Sequence, residues 1–136
     1  MIYLLLGTNL GDRSANLSIA RTMLEESLEV SLHCSPQMVT EAIGFNGPQF
    51  LNQIVCFEAE IEPYVLLHIC KQIESKMGRK QPKALFDKNG SRMYHNRIID
   101  IDILMLNDVT MTEADLMIPH PQVESRSFVK ELLQQL

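Results

Sequence analysis

The chain begins with a short apolar run at residues 2–6, which stops at Gly7. A run of this length bounded by a glycine is typical of a buried strand. Apolar residues then recur every three or four positions, the spacing of an amphipathic helix, at Leu17, Ala20, Leu24 and Leu28. Asp12 or Ser14 can cap this predicted helix, because a short polar side chain accepts hydrogen bonds from amides of the first turn.

Two extended runs follow at residues 30–39 and 50–61, and the loop at residues 44–48 is expected to join them as a hairpin. Pro63 suits the first turn of a second helix, and Gly78 suits its end. Between these two residues the apolar positions keep helical spacing, at Leu66, Ile69, Ile73 and Met77. The middle of the chain is therefore predicted to form two strands and then a helix.

A last strand is expected at residues 98–106, and a final helix from about residue 124 to residue 136. The predicted order is β-α-β-β-α-β with a C-terminal helix added. This order indicates an α+β fold of the ferredoxin-like type, an antiparallel sheet with two helices packed on one face. No repeat or linker interrupts the pattern, so residues 1–136 are interpreted as a single domain.

The composition narrows the class of protein. A chain of 136 residues with 46% hydrophobic and 21% charged residues is typical of one compact soluble domain. No apolar run approaches the roughly 20 residues that a membrane-spanning helix needs. Because the first residues also lack a basic leader, the chain is expected to act in the cytoplasm, away from membranes. Cys34, Cys56 and Cys70 are interpreted as reduced core thiols.

Charge is unevenly distributed along the chain. The net charge is -5, which argues against general binding to nucleic acid, yet residues 78–97 contain six basic side chains and one acidic one. Such a positive segment favours a bound anion, most simply a phosphate-bearing small molecule, although a solvated loop without a partner has the same composition. Residues 80–96 of this long segment are also expected to act as a lid.

Two carboxylates stand at positions i and i+2 of the last predicted strand, Asp100 and Asp102. Alternate residues of a strand project from the same face, so the two negative charges are adjacent and repel each other unless a cation joins them. Hard oxygen ligands without nearby Cys or His favour Mg²⁺. The pair predicts a magnesium-dependent phosphoryl-transfer site, with a merely exposed sheet face as the alternative.

Two further polar residues stand out. His120 is held between prolines, which favours a positioned polar contact. Asn52 lies on a predicted strand, where a buried unpaired amide is costly, so it either faces water or binds a polar ligand. The glycine-rich phosphate loops of nucleotide-binding folds are absent from the sequence.

Taken together, six short motifs resemble those of the 6-hydroxymethyl-7,8-dihydropterin pyrophosphokinase family, in the same order and over almost the whole chain. They are Leu6-Gly-Thr-Asn-Leu-Gly-Asp12, Phe50-Leu-Asn52, Glu74 with Gly78-Arg79, Arg97-Ile-Ile-Asp-Ile-Asp-Ile-Leu104, Ile118-Pro-His-Pro121 and Arg126-Ser-Phe128. The resemblance implies transfer of the β,γ-diphosphate of ATP to the pterin hydroxymethyl group in folate biosynthesis. It also implies AMP as the second product and two Mg²⁺ ions.

The resemblance also implies roles for individual residues. Asp100 and Asp102 would bind both metal ions, while Arg79 and Arg97 would neutralise the transferred phosphates. The positions at which the family holds ATP are Glu74, Ile103, His120 and Arg126. The positions at which it holds the pterin are Thr40 and Ile43 through backbone groups, Asn52 through its amide, and Phe50 and Phe128 on the two ring faces.

Two other functions are kept open by the sequence. A non-catalytic ferredoxin-like module that binds a small ligand would share the fold, and a metal-dependent nucleotidyltransferase would share the paired aspartates. The expected partners of the chain are ATP and the pterin, with neither nucleic acid nor membrane. The chain is expected to be a monomer, and an oligomer remains an alternative.

Overall fold

An antiparallel five-stranded sheet forms the centre of the computed structural model, which describes residues 1–42, 46–78 and 97–136. Its strands are β1 (Ile2–Thr8), β2 (His33–Cys34), β3 (Met38–Thr40), β4 (Phe50–Phe57) and β5 (Asp100–Leu106). The order across the sheet is β2-β4-β1-β5, and β3 also pairs with β4. β2 and β3 pair with successive parts of β4, so together they take the place of one strand. The five strands therefore fill four strand positions. The predicted ferredoxin-like α+β arrangement is confirmed.

Two long helices cover one face of this sheet. They are α1 (Arg13–Leu28), which Asp12 caps by accepting from the Ala15 amide at 3.0 Å, and α2 (Pro63–Lys76), which begins at its proline. Helical spacing turns one stripe of each helix toward the strands. The buried side chains of these stripes are Leu17, Ala20, Leu24, Leu66, Cys70 and Ile73.

The C-terminal segment covers the opposite face. It contains two short helices, α3 (Gln122–Ser125) and α4 (Ser127–Gln134). Val129 and Leu132 of α4 pack against one residue from each of the three long strands, namely Leu5, Ile54 and Leu104. Both faces of the sheet therefore carry helices, and α4 bounds the face that also bears Asp100 and Asp102.

The structure corrects three sequence predictions. The single strand expected at residues 30–39 is broken, because Ser35 bonds to Ile54 through both its backbone and its hydroxyl and Pro36 has no amide to donate. The final helix is divided at Arg126, whose backbone is extended (φ -116°, ψ 114°). Cys34 is exposed on the edge strand β2, whereas Cys56 and Cys70 are buried as expected.

A small second sheet was not predicted. It consists of β6 (Met111–Thr112) and β7 (Met117–Ile118), which pair with each other beside the end of β5. Two-residue strands are too short to produce a readable alternation of apolar and polar positions. Among the residues that the structure describes, no helix is long and apolar enough to cross a membrane.

Candidate active site

Strand register brings the paired aspartates and Asn52 onto one face of the sheet. Gly7 of β1 lies opposite Asn52 on β4 and opposite Asp100 on β5. Two residues back along β1, Leu5 lies opposite Ile54 and Asp102. Directly opposed residues of antiparallel strands project their side chains from the same face. The carboxylates and the Asn52 amide therefore flank β1 on the face that α4 partly covers.

Gly7 leaves space between these groups. A Cβ atom built on Gly7 would lie 3.2 Å from Asn52 Oδ1 and 3.7 Å from Phe50 Cδ1. The first of these distances is tighter than ordinary contact, so any larger residue would press on Asn52. The absence of a side chain at Gly7 thus lets the Asn52 amide oxygen lie close to β1.

Because the family resemblance implies that Asn52 holds the pterin, we expect Gly7→Ala to weaken pterin binding: its added methyl group would lie 3.2 Å from Asn52 Oδ1. The matched control is Gly11→Ala: Gly11 has φ +69°, so alanine there is strained, but the nearest atom to its Cβ is 4.0 Å away on Asn16. Calorimetric titration and thermal melting should give opposite patterns, with affinity lost in Gly7→Ala and stability lost by about 1 kcal/mol in Gly11→Ala. Equal pterin affinities for Gly7→Ala and wild type would contradict this role of Gly7.

Asn52 presents a fixed hydrogen-bond acceptor beside Gly7. The residue is 5% exposed, and its Nδ2 donates to the Met38 carbonyl at 3.2 Å and to Thr40 Oγ1 at 2.8 Å. Because a carbonyl oxygen can only accept, the Met38 contact sets the orientation of the amide. Oδ1 is thereby turned toward Gly7. Of the two sequence-based alternatives for Asn52, exposure to water is excluded by its burial.

Asp102 is linked to Arg126 through a side chain that sequence reasoning missed. Gln122 Nε2 donates to Asp102 Oδ2 at 2.9 Å, and Gln122 Oε1 accepts from Arg126 Nη1 at 3.3 Å. The Arg126 guanidinium in turn lies 4.4 Å from the centre of the Phe128 ring, a cation–π distance. The carboxylate, the guanidinium and the aromatic ring thus form one connected chain of contacts.

His120 is held in one tautomer beside the aspartates. Its backbone amide donates to the Leu104 carbonyl at 2.8 Å, and its Nδ1 accepts from the Gln122 amide at 3.2 Å. An accepting Nδ1 leaves the proton of the neutral ring on Nε2. Partial burial lowers the pKa of His120, and the charge of Asp100 opposes this shift. The ring is therefore neutral at pH 7 and offers an Nε2–H donor.

Arg97 is fixed at the entrance to β5 by a second buried asparagine. Asn9, 2% exposed, accepts from the Arg97 amide at 2.6 Å through Oδ1 and donates to the Arg97 carbonyl at 3.0 Å through its backbone. Its Nδ2 also donates to the Pro48 carbonyl at 3.1 Å. Asn9 therefore joins the turn after β1 to the segments that lead into β4 and β5.

Glu74 and Ile103 lie at the outer edge of β5. Glu74 is 4% exposed, and its Oε2 accepts from the Ile101 amide at 2.8 Å. Ile103 is buried in the core that α1 and α2 share, so only its backbone is available to a ligand. Since backbone groups of alternate residues point to the same side of a strand, the Ile103 backbone shares the edge that Glu74 reaches.

Two predicted residues, Arg79 and Ile43, lie outside the described residues, as does the expected lid at residues 80–96. Within the described ranges there is no group of three or more His, Cys, Asp or Glu side chains that could hold a metal ion. Asp100 and Asp102 are the candidate protein ligands that the sequence predicts there. Two carboxylates match Mg²⁺, which commonly completes its shell with phosphate oxygens and water.

Paired carboxylates together with basic side chains suit phosphoryl transfer, a reaction that depends mainly on positioning and charge neutralisation. Residues 3–136 match the family described as 7,8-dihydro-6-hydroxymethylpterin-pyrophosphokinase (HPPK). The chain belongs to this family. The structure therefore places the candidate site residues on a fold whose family is established. Among the described residues these are Asp100, Asp102, Asn52 and Arg126.

Several curated proteins named 2-amino-4-hydroxy-6-hydroxymethyldihydropteridine pyrophosphokinase are similar to the chain. The protein of Porphyromonas gingivalis is 40% identical over 132 residues, which cover 96% of this chain and 86% of that protein. The Aquifex aeolicus protein is 35% identical, with 93% and 74% covered. The Bacillus subtilis protein is 31% identical, with 93% and 72% covered.

Proposed function

We propose that the sheet face bearing Asp100, Asp102 and Asn52 is the active site of this chain. The reaction transfers the β,γ-diphosphate of ATP to the hydroxymethyl group of 6-hydroxymethyl-7,8-dihydropterin, giving AMP and the pterin diphosphate. As a member of its family the chain is an ATP-dependent diphosphokinase of folate biosynthesis. The observation that carries the site assignment is the register at Gly7, which sets Asp100 and Asn52 on either side of a residue without a side chain.

Asp100 and Asp102 would hold two Mg²⁺ ions. The donor set fits this metal, because both carboxylates project from the same face of β5. Gln122 occupies one acceptor direction of Asp102 Oδ2, and a carboxylate offers about four such directions. When bound, the ions would neutralise triphosphate charge and align its oxygens for an in-line displacement.

The basic and histidine side chains would hold the triphosphate. Arg97 at the start of β5 and Arg126 between α3 and α4 flank the aspartates along the chain, and their guanidinium groups suit phosphate oxygens. His120 would donate through Nε2–H. Arg79 is proposed for the same set from the family motif, while Glu74 and the Ile103 backbone would bind the nucleoside part of ATP at the β5 edge.

The pterin would lie over Gly7. Asn52 Oδ1 would accept from a ring N–H group, and Thr40 and Ile43 would contribute backbone groups beside it. Phe50 and Phe128 would stack on the two faces of the ring, because a flat heterocycle gains area and offset stacking from both. Stacking would supply affinity, while the amide would distinguish the pterin from other flat molecules.

Phe128→Ala should weaken pterin binding by about 1 to 3 kcal/mol through lost area and stacking. Binding of an ATP analogue alone should change little. Calorimetric titration of each ligand into the folded variant measures both. Equal losses for the two ligands, together with a lower melting temperature, would identify Phe128 as an ordinary packing residue and reject the sandwich.

Product analysis tests the proposed reaction directly. The protein is incubated with ATP, Mg²⁺ and 6-hydroxymethyl-7,8-dihydropterin, and the nucleotide products are separated. AMP formed together with pterin diphosphate is the expected result. Free diphosphate would indicate nucleotidyl transfer instead, and absence of turnover would favour a ligand-binding module. Omission of Mg²⁺ should abolish AMP formation.

The proposed setting is a cytoplasmic monomer, since both substrates are small soluble molecules and the described strands supply residues for both. Sedimentation equilibrium should then give a mass near the 15.5 kDa of one chain. A mass that is twice as large, with or without substrates, would contradict the monomer.

A further inference from the structure

The Gln122 side chain stands between two groups of opposite charge. It is 8% exposed, donates from Nε2 to Asp102 Oδ2 at 2.9 Å and accepts at Oε1 from Arg126 Nη1 at 3.3 Å. The backbone repeats the second link, because the Arg126 amide donates to the Gln122 carbonyl at 3.1 Å. One neutral residue is thus bound to both an anion and a cation.

An amide side chain can make these two contacts together. A carboxylate accepts hydrogen bonds and a guanidinium donates them, so the residue between them needs a donor at one position and an acceptor at another. These contacts also fix the Gln122 amide in a single orientation. Removing the amide would leave a carboxylate and a guanidinium near each other in a partly buried place, where their mutual attraction is stronger than in water.

We propose that Gln122 is a positioning residue that keeps Asp102 and Arg126 from forming a direct ion pair. In a direct pair, the Asp102 carboxylate would neutralise Arg126 instead of a metal ion. The Arg126 guanidinium would neutralise Asp102 instead of a phosphate. The amide holds each group in its orientation with no net charge of its own. This inference rests on the proposed function, which assigns a metal to Asp102 and the triphosphate to Arg126.

Gln122→Met tests the proposal, because methionine keeps the length of glutamine without its hydrogen-bonding groups. Gln134→Met, at an exposed position of α4, is the matched control. Mn²⁺ binding, followed by water-proton relaxation without nucleotide, reports the metal site independently of turnover. We expect Gln122→Met to weaken Mn²⁺ binding by about 10-fold, and Gln134→Met to leave it unchanged. Melting temperature should be unchanged or raised in Gln122→Met.

A second substitution separates positioning from structural damage. Adding Arg126→Met to Gln122→Met removes the competing cation, so Mn²⁺ affinity should return to within about twofold of that of Arg126→Met alone. A loss that persists in the double variant, unchanged Mn²⁺ affinity in Gln122→Met, or no Mn²⁺ binding by the wild type would each overturn the proposal. Failure of the proposed reaction is distinguishable, because it would show as wild-type protein that forms no AMP whatever the Mn²⁺ results.

Discussion

Asp102→Ala should lose at least about 1,000-fold in turnover, equivalent to about 4 kcal/mol of transition-state stabilisation. The reason is that Asp102 is one of the two carboxylates proposed to hold the metal ions, and phosphoryl transfer depends mainly on positioning and charge neutralisation. Steady-state measurement of AMP formation gives the loss. Retention of more than about one tenth of wild-type turnover would refute the metal role.

The fold should survive this substitution. Alanine leaves Gln122 Nε2 without its partner, but it also relieves the repulsion between Asp102 and Asp100. Asp102→Asn separates the two effects, since it keeps an oxygen that can accept from Gln122 while removing the charge. It should lose turnover as severely as alanine does. Asp108→Ala, at an exposed position beyond β5, is the control that should remain fully active.

Asn52→Ala should weaken pterin binding by about 2 to 3 kcal/mol, roughly 30- to 150-fold. A pterin that enters the cleft of this variant would bury its polar ring edge without the Oδ1 acceptor. ATP-analogue binding should be unaffected, because Asn52 lies two strands away from Asp102. Titration calorimetry with each ligand, on protein shown by melting to be folded, provides the comparison.

Thr40→Val is the control for this prediction. It removes the hydroxyl that accepts from Asn52 Nδ2 but retains the Thr40 backbone and the Met38 contact that orients the amide. Its effect on pterin binding should be far smaller than that of Asn52→Ala. Equal losses in the two variants would indicate that Asn52 acts only through the packing of β3 against β4.

Local patterns predicted the elements that are long and regular. Helix α1 and its Asp12 cap, helix α2 with its proline, and strand β5 with its paired carboxylates all follow from periodicity and capping chemistry. The break beside Pro36 depends in part on the bonds between Ser35 and Ile54, which lie 19 positions apart in the sequence. Such tertiary contacts override the weak preference of a short segment.

The residues that support the site could not be found in the same way. Gln122 acts on Asp102 across 20 positions, and Asn9 acts on Arg97 across 88. Their roles arise only when the sheet brings distant segments together, and no spacing within the sequence encodes them. Asn9 does lie inside the first family motif, which was the one available signal.

The bond between Glu74 and the Ile101 amide also bears on how the protein behaves when concentrated. In the described part of the sheet β5 is a terminal strand, and such a strand offers amides to which a strand of another molecule can add. Glu74 occupies one of these amides with a buried carboxylate, and the His120 amide occupies the Leu104 carbonyl further along. An incoming strand would have to displace both contacts. The groups that are proposed to line the nucleotide edge therefore also oppose the addition of a strand from another molecule.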